Sequence, residues 1–180
     1  EHNREESWKQ SAVKWTEALE PMKKLTSHHD IGFLIYCSFG NGYRLTGKEE
    51  YKDVIIEAAN SLTTRFSEVT GCIKSWNYRK AWNGKDEWFY PVIIDNMMNL
   101  ELLYFASKVT GDTRYAKIAT THAETTAKNQ LREDYSNYHV VDYDTLTGKV
   151  LHQATCQGFS DNSAWARGQA WAIYGYTMAY

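Results

Sequence analysis

Two aspartates are the first candidates for chemistry. Asp30 stands just ahead of the apolar run Ile31-Gly32-Phe33-Leu34-Ile35-Tyr36-Cys37, and Asp95 just ahead of Met97-Met98-Asn99-Leu100-Glu101-Leu102-Leu103-Tyr104-Phe105-Ala106. A carboxylate at a helix start is a favoured N-cap, worth about 1 kcal/mol, and that is the structural use of either residue. Next to a wholly buried helix a carboxylate must be paired or desolvated. Two carboxylates turned into one cavity also push each other's proton affinities apart, so that one stays ionised while the other holds a proton. The helix dipole opposes this, because an N-terminus favours the anion. A working acid here needs burial and the partner charge to outweigh the dipole.

The second cluster runs from Gln157-Gly158-Phe159-Ser160-Asp161 to Trp165-Ala166-Arg167-Gly168-Gln169-Ala170-Trp171. Arg167 and Trp171 are four apart on one helical face, a pair able to fork a carboxylate and stack a ring, or else to serve as an ion-paired Arg and a core Trp. His139, in a strand-like stretch, is a candidate donor or a structural histidine. There are 6 histidines, but His28 and His29 diverge on a helix and no HxxxH pair occurs, so no metal is expected.

The elements that must carry these residues form a repeat. Leu45-Thr46-Gly47, Tyr51, Val54 and Ala59 match Val109-Thr110-Gly111, Tyr115, Ile118 and Ala123 at a constant shift. Each copy has a segment apolar on nearly every side, hence buried all round, then a Thr-Gly turn and a helix with one apolar stripe. Those stripes are Tyr51, Val54, Ile55, Ala58, Ala59, Leu62 and Phe66, and, more weakly, Tyr115, Ile118, Ala119, His122, Ala123 and Thr126. Asp30 and Asp95 lie at equivalent points ahead of the two turns, so both project toward one end of the assembly. A third buried segment begins at Trp165. An N-terminal helix with Trp8, Val13 or Ala12, Trp15, Leu19 and Met22 on one side ends near Pro21. Fully buried helices alternating with half-buried ones make a double ring, an α/α toroid. Between the repeats, residues 71–90 form a long connection. Residues 134–162 form another, in which 138–143 read as a strand and 144–148 as a turn. Such loops collect at one rim of a helical repeat protein and often bear the site.

Composition agrees. Only 2 Pro and 11 Gly in 180 residues leave too little punctuation for an all-β sandwich. No stretch approaches the roughly 18 to 20 apolar residues that a bilayer span needs. Twenty basic against 22 acidic residues give a net charge of -2 and no global field for nucleic acid or an anionic membrane, so neither is an expected partner. The 7 Trp and 13 Tyr suit a cleft that stacks sugar rings as well as a core. Three scattered cysteines, Cys37, Cys72 and Cys156, argue against a disulfide framework or structural zinc.

Taken together, His29-Asp30-Ile31-Gly32-Phe33, Asp95-Asn96-Met97-Met98-Asn99-Leu100 and the stretch from Gln157 to Trp171 resemble glycoside hydrolase family 88, the unsaturated glucuronyl hydrolases, from about Lys24 to Tyr180. The resemblance implies an all-α (α/α)6 barrel. Residues 1–180 would then be a single partial catalytic domain covering about half of the ring. Such a piece by itself is expected to aggregate, dimerise or lack activity. The implied reaction is hydration of the C4=C5 vinyl ether of a terminal 4,5-unsaturated uronic acid on lyase-generated glycosaminoglycan oligosaccharides. Asp95 would be the acid/base and Asp30 the second carboxylate. His139, Gln157, Arg167, Trp165 and Trp171 would bind substrate, with Trp82 and Trp88 adding stacking. No cofactor or metal is implied, the oligomeric state is open, and the compartment is the bacterial cytoplasm or periplasm. The neighbouring readings are an unsaturated rhamnogalacturonyl hydrolase acting on pectin fragments and a non-catalytic sugar-binding toroid. Cys156 departs from the His that several family members carry before the Gln-Gly pair, which bears on linkage and sulfation preference.

Overall fold

The computed structural model describes residues 5–81 and 83–180. Its helices are α1 (Glu6–Glu17), α2 (Asn41–Thr46), α3 (Glu49–Thr63), α4 (Leu100–Thr110), α5 (Thr113–Gln130) and α6 (Ala166–Ala179). A π-helix, Gly32–Gly40, runs directly into α2, and a 3-10 helix, Ile94–Asn99, runs directly into α4. These two compound segments and α6 are the inner elements. The helices α3 and α5 are the outer ones, and the residues they bury are the sequence stripes: Tyr51 through Leu62, and Tyr115 through Thr126.

The repeat holds down to single hydrogen bonds. Gly47 and Gly111 take left-handed φ values of 66° and 75°, which glycine adopts without steric cost. Their N–H groups donate to Tyr43 O and Ser107 O, at 2.8 and 2.9 Å. The hydroxyls of Thr46 and Thr110 donate to Gly42 O and Ala106 O, both at 2.7 Å. The same hydroxyls accept from the Lys48 and Asp112 N–H groups. The Thr-Gly pair is thus a self-contained corner that turns an inner helix back into an outer one. Asp112 then caps α5 by accepting from Arg114 N at 2.9 Å.

One core joins Ile31, Ile35 and Phe39 of the first inner segment, Met97, Leu100, Leu102 and Leu103 of the second, and the stripes of α3 and α5. The inner segments meet at close backbone approaches. A Cβ on Gly32 would lie 2.4 to 2.7 Å from Oδ1, Cα and Cβ of Asn99, and one on Gly175 of α6 would lie 2.4 Å from Met97 Cβ. The Phe33 N–H is given to Asn99 Oδ1 at 3.0 Å, a bond that crosses between inner segments. It leaves from the first turn of the π-helix, a geometry that is rare and concentrated at functional sites.

The connections carry short strands: β1 (Phe66–Ser67) with β2 (Cys72–Ile73), β3 (Arg79–Lys80) with β4 (Glu87–Trp88), and the antiparallel sheet β5 (Pro91–Ile93), β6 (Val140–Tyr143) and β7 (Val150–Ala154). The expected strand and turn at 138–148 are β6 and the β6–β7 hairpin, whose corner is held by Asp144 Oδ1 accepting from Leu146 N and Thr147 N. Strand β5 was not expected. Its three residues are all buried, so it lacks the polar alternation that marks a strand in sequence.

Two expectations need correction. The inner segments are not covered on every side: Cys37 is exposed, as are Ile173 and Met178 on α6. The N-terminal helix ends at Glu17, with a 3-10 turn at Glu20–Lys24 carrying Pro21. None of its residues is buried, and Trp15 is 70% exposed. Helices here are covered only where another described element packs on them. A groove of about 770 Å³ lies between α1 and the first inner segment, lined by Trp8, Val13, Cys37, Leu45 and Tyr51, away from both aspartates. No helix among the described residues is long and apolar enough to cross a membrane.

Candidate active site

The register of the sheet builds the Asp95 side. Ile93 pairs with Val140 and the Ile94 N–H donates to His139 O at 3.0 Å; there the chain leaves the sheet for the 3-10 helix, whose second residue, Asp95, is set beside His139. His139 Nε2 and Asp95 Oδ1 are 3.6 Å apart, the imidazole 1% and the carboxylate 16% exposed. Both atoms are sealed from solvent, and neither has a hydrogen-bond partner among the described residues. The opposite ring nitrogen, Nδ1, accepts two backbone N–H groups, from Cys156 at 3.0 Å and Gln157 at 3.2 Å. An Nδ1 that receives two donors carries no proton, so the proton of the neutral ring is on Nε2, pointing at the carboxylate.

The Asp30 side repeats this arrangement. His29 is fully buried, and its Nε2 lies 3.2 Å from Asp30 Oδ1. Its Nδ1 lies 3.3 Å from Asn99 Nδ2. Because Asn99 Oδ1 already accepts from Phe33 N, Nδ2 is the donor, and the His29 proton again faces its carboxylate. Burial holds the His29 imidazole below its ordinary value, against the opposing pull of Asp30, an Asn96 hydrogen bond and Asp95. His29 therefore lies within the field of both aspartates. Behind it His122, also fully buried, is pushed down to about 3 by burial and by His29. Its Nδ1 accepts from Ile73 N at 3.0 Å.

Neither aspartate side chain caps its helix among the described residues: the Asp30 carbonyl accepts from Leu34 N at 2.9 Å but its carboxylate takes no first-turn N–H, and Asp95 lies inside its 3-10 helix, where the cap position is Ile93. The use that chain position alone favoured for each carboxylate is absent, and both are free to face other groups.

From His139 the contacts continue outward. Its ring packs on Trp165 at 4.5 Å and meets the edge of Trp76 at 6.4 Å. The Arg167 guanidinium lies 4.9 Å over the Trp165 ring and donates to Gln157 Oε1 at 3.4 Å. Trp171, one turn along α6, packs on Phe33 at 5.4 Å, three residues from Asp30. So Asp95, His139, Gln157, Trp165 and Arg167 are brought together, and Trp171 reaches the Asp30 side. Trp88 does not join them. It is 1% exposed inside the cluster formed with Ala81, Ile93, Val140 and Ala154, so its ring is core and has no face for a sugar. Trp82 lies outside the described residues.

Several residues that hold the site were given no role by the sequence. Arg132 staples the 155–165 loop by donating to Asp161 O and Ser163 O while also bonding Asn137 O and Ser136 Oγ. Asp161 accepts from Thr155 N at 2.8 Å, and Gln169 bonds Asn137 and Tyr135 O. Asn99 had one available sign: it is a polar residue within an otherwise apolar inner segment.

Comparison with known proteins shows the family. The family model described as Glycosyl Hydrolase Family 88 matches residues 4–180. An unsaturated glucuronyl hydrolase of Formosa agariphila is 52% identical over 96% of this chain and 42% of its own length. An unsaturated chondroitin disaccharide hydrolase of Streptococcus pneumoniae is 40% identical over 85% of this chain and 37% of its own. The crystal structure of an unsaturated glucuronyl hydrolase specific for heparin superposes with a TM-score of 0.88 at 47% identity, covering 96% of this chain and 45% of that one. The chain spans less than half the length of these relatives, and its alternating helices are about half of the (α/α)6 barrel. On motif, fold and family model alike, this chain belongs to glycosyl hydrolase family 88.

Proposed function

We propose that this protein hydrates the C4=C5 bond of a terminal 4,5-unsaturated uronic acid on glycosaminoglycan-derived oligosaccharides, releasing that sugar. The observation that carries the reading is the continuous set of contacts from Asp95 through His139 and Trp165 to Arg167 and Gln157, at 3.6, 4.5, 4.9 and 3.4 Å. It joins one enclosed carboxylate to a guanidinium suited to a uronate and to a ring suited to a sugar face.

The chemistry needs one acid/base. Asp95 in its protonated form gives its proton to C4, and the positive charge that develops is shared by C5 and the ring oxygen. Water attacks C5 and returns a proton to Asp95, so one water is added across the double bond and the carboxyl is restored. The C5 hemiketal opens at its ring oxygen, the hemiacetal left at C1 collapses, and the neighbouring sugar departs. Asp30, beside the same histidine field, sets the charge against which the cation forms. No glycosyl–enzyme bond is needed, so the usual rule relating carboxylate separation to retention or inversion does not govern this site.

The test is the ultraviolet absorbance of an unsaturated chondroitin or heparin disaccharide. The protein at its full natural length bleaches it, and Asp95→Asn slows bleaching by about 10²- to 10⁴-fold, the usual share of general acid–base catalysis. Wild-type turnover in Asp95→Asn contradicts the mechanism. Bleaching only of unsaturated rhamnogalacturonan fragments assigns the pectin reaction instead, and binding without bleaching assigns a sugar-binding toroid.

A further inference from the structure

We propose that His139 is a positioning residue for Asp95, fixed as the Nε2–H tautomer so that it donates to Asp95 Oδ1 and leaves the other carboxyl oxygen to carry the proton exchanged with substrate. The proposal rests on the acid/base reading of Asp95 and concerns how that carboxyl is held.

Three observations support it. First, Nε2 of His139 is sealed from solvent with its side chain 1% exposed, and the ring is flanked by Trp165 and Trp76, so a substrate atom has no approach to that nitrogen. The direct substrate contact expected from the sequence would need the ring to move out of this packing. Second, the Cys156 and Gln157 N–H groups occupy Nδ1, so shifting the proton there would set two donors against a third, and flipping the ring would leave both donors without their acceptor. Third, Nε2 and Asp95 Oδ1 are two buried polar atoms whose nearest complement is each other. Their 3.6 Å separation is just beyond bonding distance, and such contacts in ligand-free sites commonly tighten in the substrate complex. Backbone groups, a histidine and a carboxylate thus form a line in which each member orients the next, as outer partners orient the ligands of a metal.

The line also gives the first and second residues of the Cys156-Gln157-Gly158 stretch a shared task. Their backbone holds His139, while the Gln157 side chain bonds Arg167 at the substrate side. The Cys156 side chain takes no part in the bond from its own N–H, so the hold on His139 does not depend on which residue stands there.

The experiment measures kcat and KM for His139→Ala and His139→Gln in the protein at its full natural length, beside Asp95→Asn. Loss of the orienting donor in His139→Ala lowers kcat roughly 10- to 100-fold, the usual cost of removing an outer partner, with KM nearly unchanged. His139→Gln, whose amide reaches the place of Nε2, restores most of the loss. A raised KM with kcat retained in His139→Ala shows direct substrate binding and overturns the proposal. Failure of Gln to restore what Ala loses also overturns it. If His139→Ala does not fold, the ¹⁵N resonances of the wild-type ring decide: a proton on Nε2 supports the proposal and one on Nδ1 overturns it. Wild-type turnover in Asp95→Asn would remove the acid/base reading itself, separately from these outcomes.

Discussion

Asp30 and Asp95 stand at matched points of the helical repeat, and each faces a buried histidine whose Nδ1 receives N–H donors and whose Nε2 is turned to Oδ1. What fixes the histidine differs. His29 is held by Asn99, at the point where Gly32 lets two inner segments touch, and its own N–H donates to Ser75 O. His139 is held by two loop amides, in a loop stapled by Arg132 and Asp161. The Asp30 side chain is 43% exposed and that of Asp95 16%. One dyad is therefore part of helix packing, and damage to it is paid in folding stability. The other is set by the turn out of β5 into the 3-10 helix and by a loop, and under the proposed mechanism damage to it falls on turnover. The more enclosed carboxylate is the one proposed as the acid/base.

The largest effect that separates the two sides on stability belongs to Gly32→Ala. The new Cβ meets the Asn99 backbone, which cannot swing aside, as well as its side chain. We expect a loss of about 3 kcal/mol in urea unfolding, the upper end for over-packing. A change smaller than about 0.5 kcal/mol, the range of ordinary surface substitutions, would show that the crossing is adjustable and that the Asp30 side is no more rigid than the other.

A smaller effect comes from pH. The His122 value is pushed down from 6.5 to about 3, and His29 moves in the same direction. Above pH 6.5 folded and unfolded forms are both neutral at these rings. Below it the unfolded chain binds the protons first, so stability falls as the pH drops from 6.5 toward 3, His122 contributing up to about 1.4 kcal/mol per pH unit and His29 acting in the same direction. His122→Gln removes one of the two contributions and flattens the decline between pH 6.5 and 5.5. An unchanged slope in that variant would detach His122 from the acid sensitivity of this region.

Much of the scaffold was legible in the sequence. The Thr-Gly corners and the stripes of α3 and α5 depend on local periodicity and on glycine at left-handed φ, which are properties of nearby residues. Both aspartates and the Arg167–Gln157 end of the site were legible as chemistry-bearing residues beside apolar runs. The histidines' task was not, because it depends on pairing across the chain: Asn99 to His29 spans 70 positions, and His139 faces Asp95 only through the β5–β6 pairing and the turn into the 3-10 helix. Trp88 misled for the complementary reason. Its stacking role came from the resemblance alone, whereas the β3–β4 hairpin folds it inward against Val140 and Ala154. The exposed faces of α1 and α6 likewise show that an apolar stripe predicts a buried face only where a partner element is at hand.

The claim that Asp95 works by hydrating a double bond is tested most directly by turnover in D₂O with the protein at its full natural length. The account predicts one deuterium at C4 of the released sugar in a single configuration, since the proton comes from one carboxyl on one face of the ring. A sugar with no deuterium at C4, or with both configurations mixed as solvent tautomerisation alone would give, would contradict it.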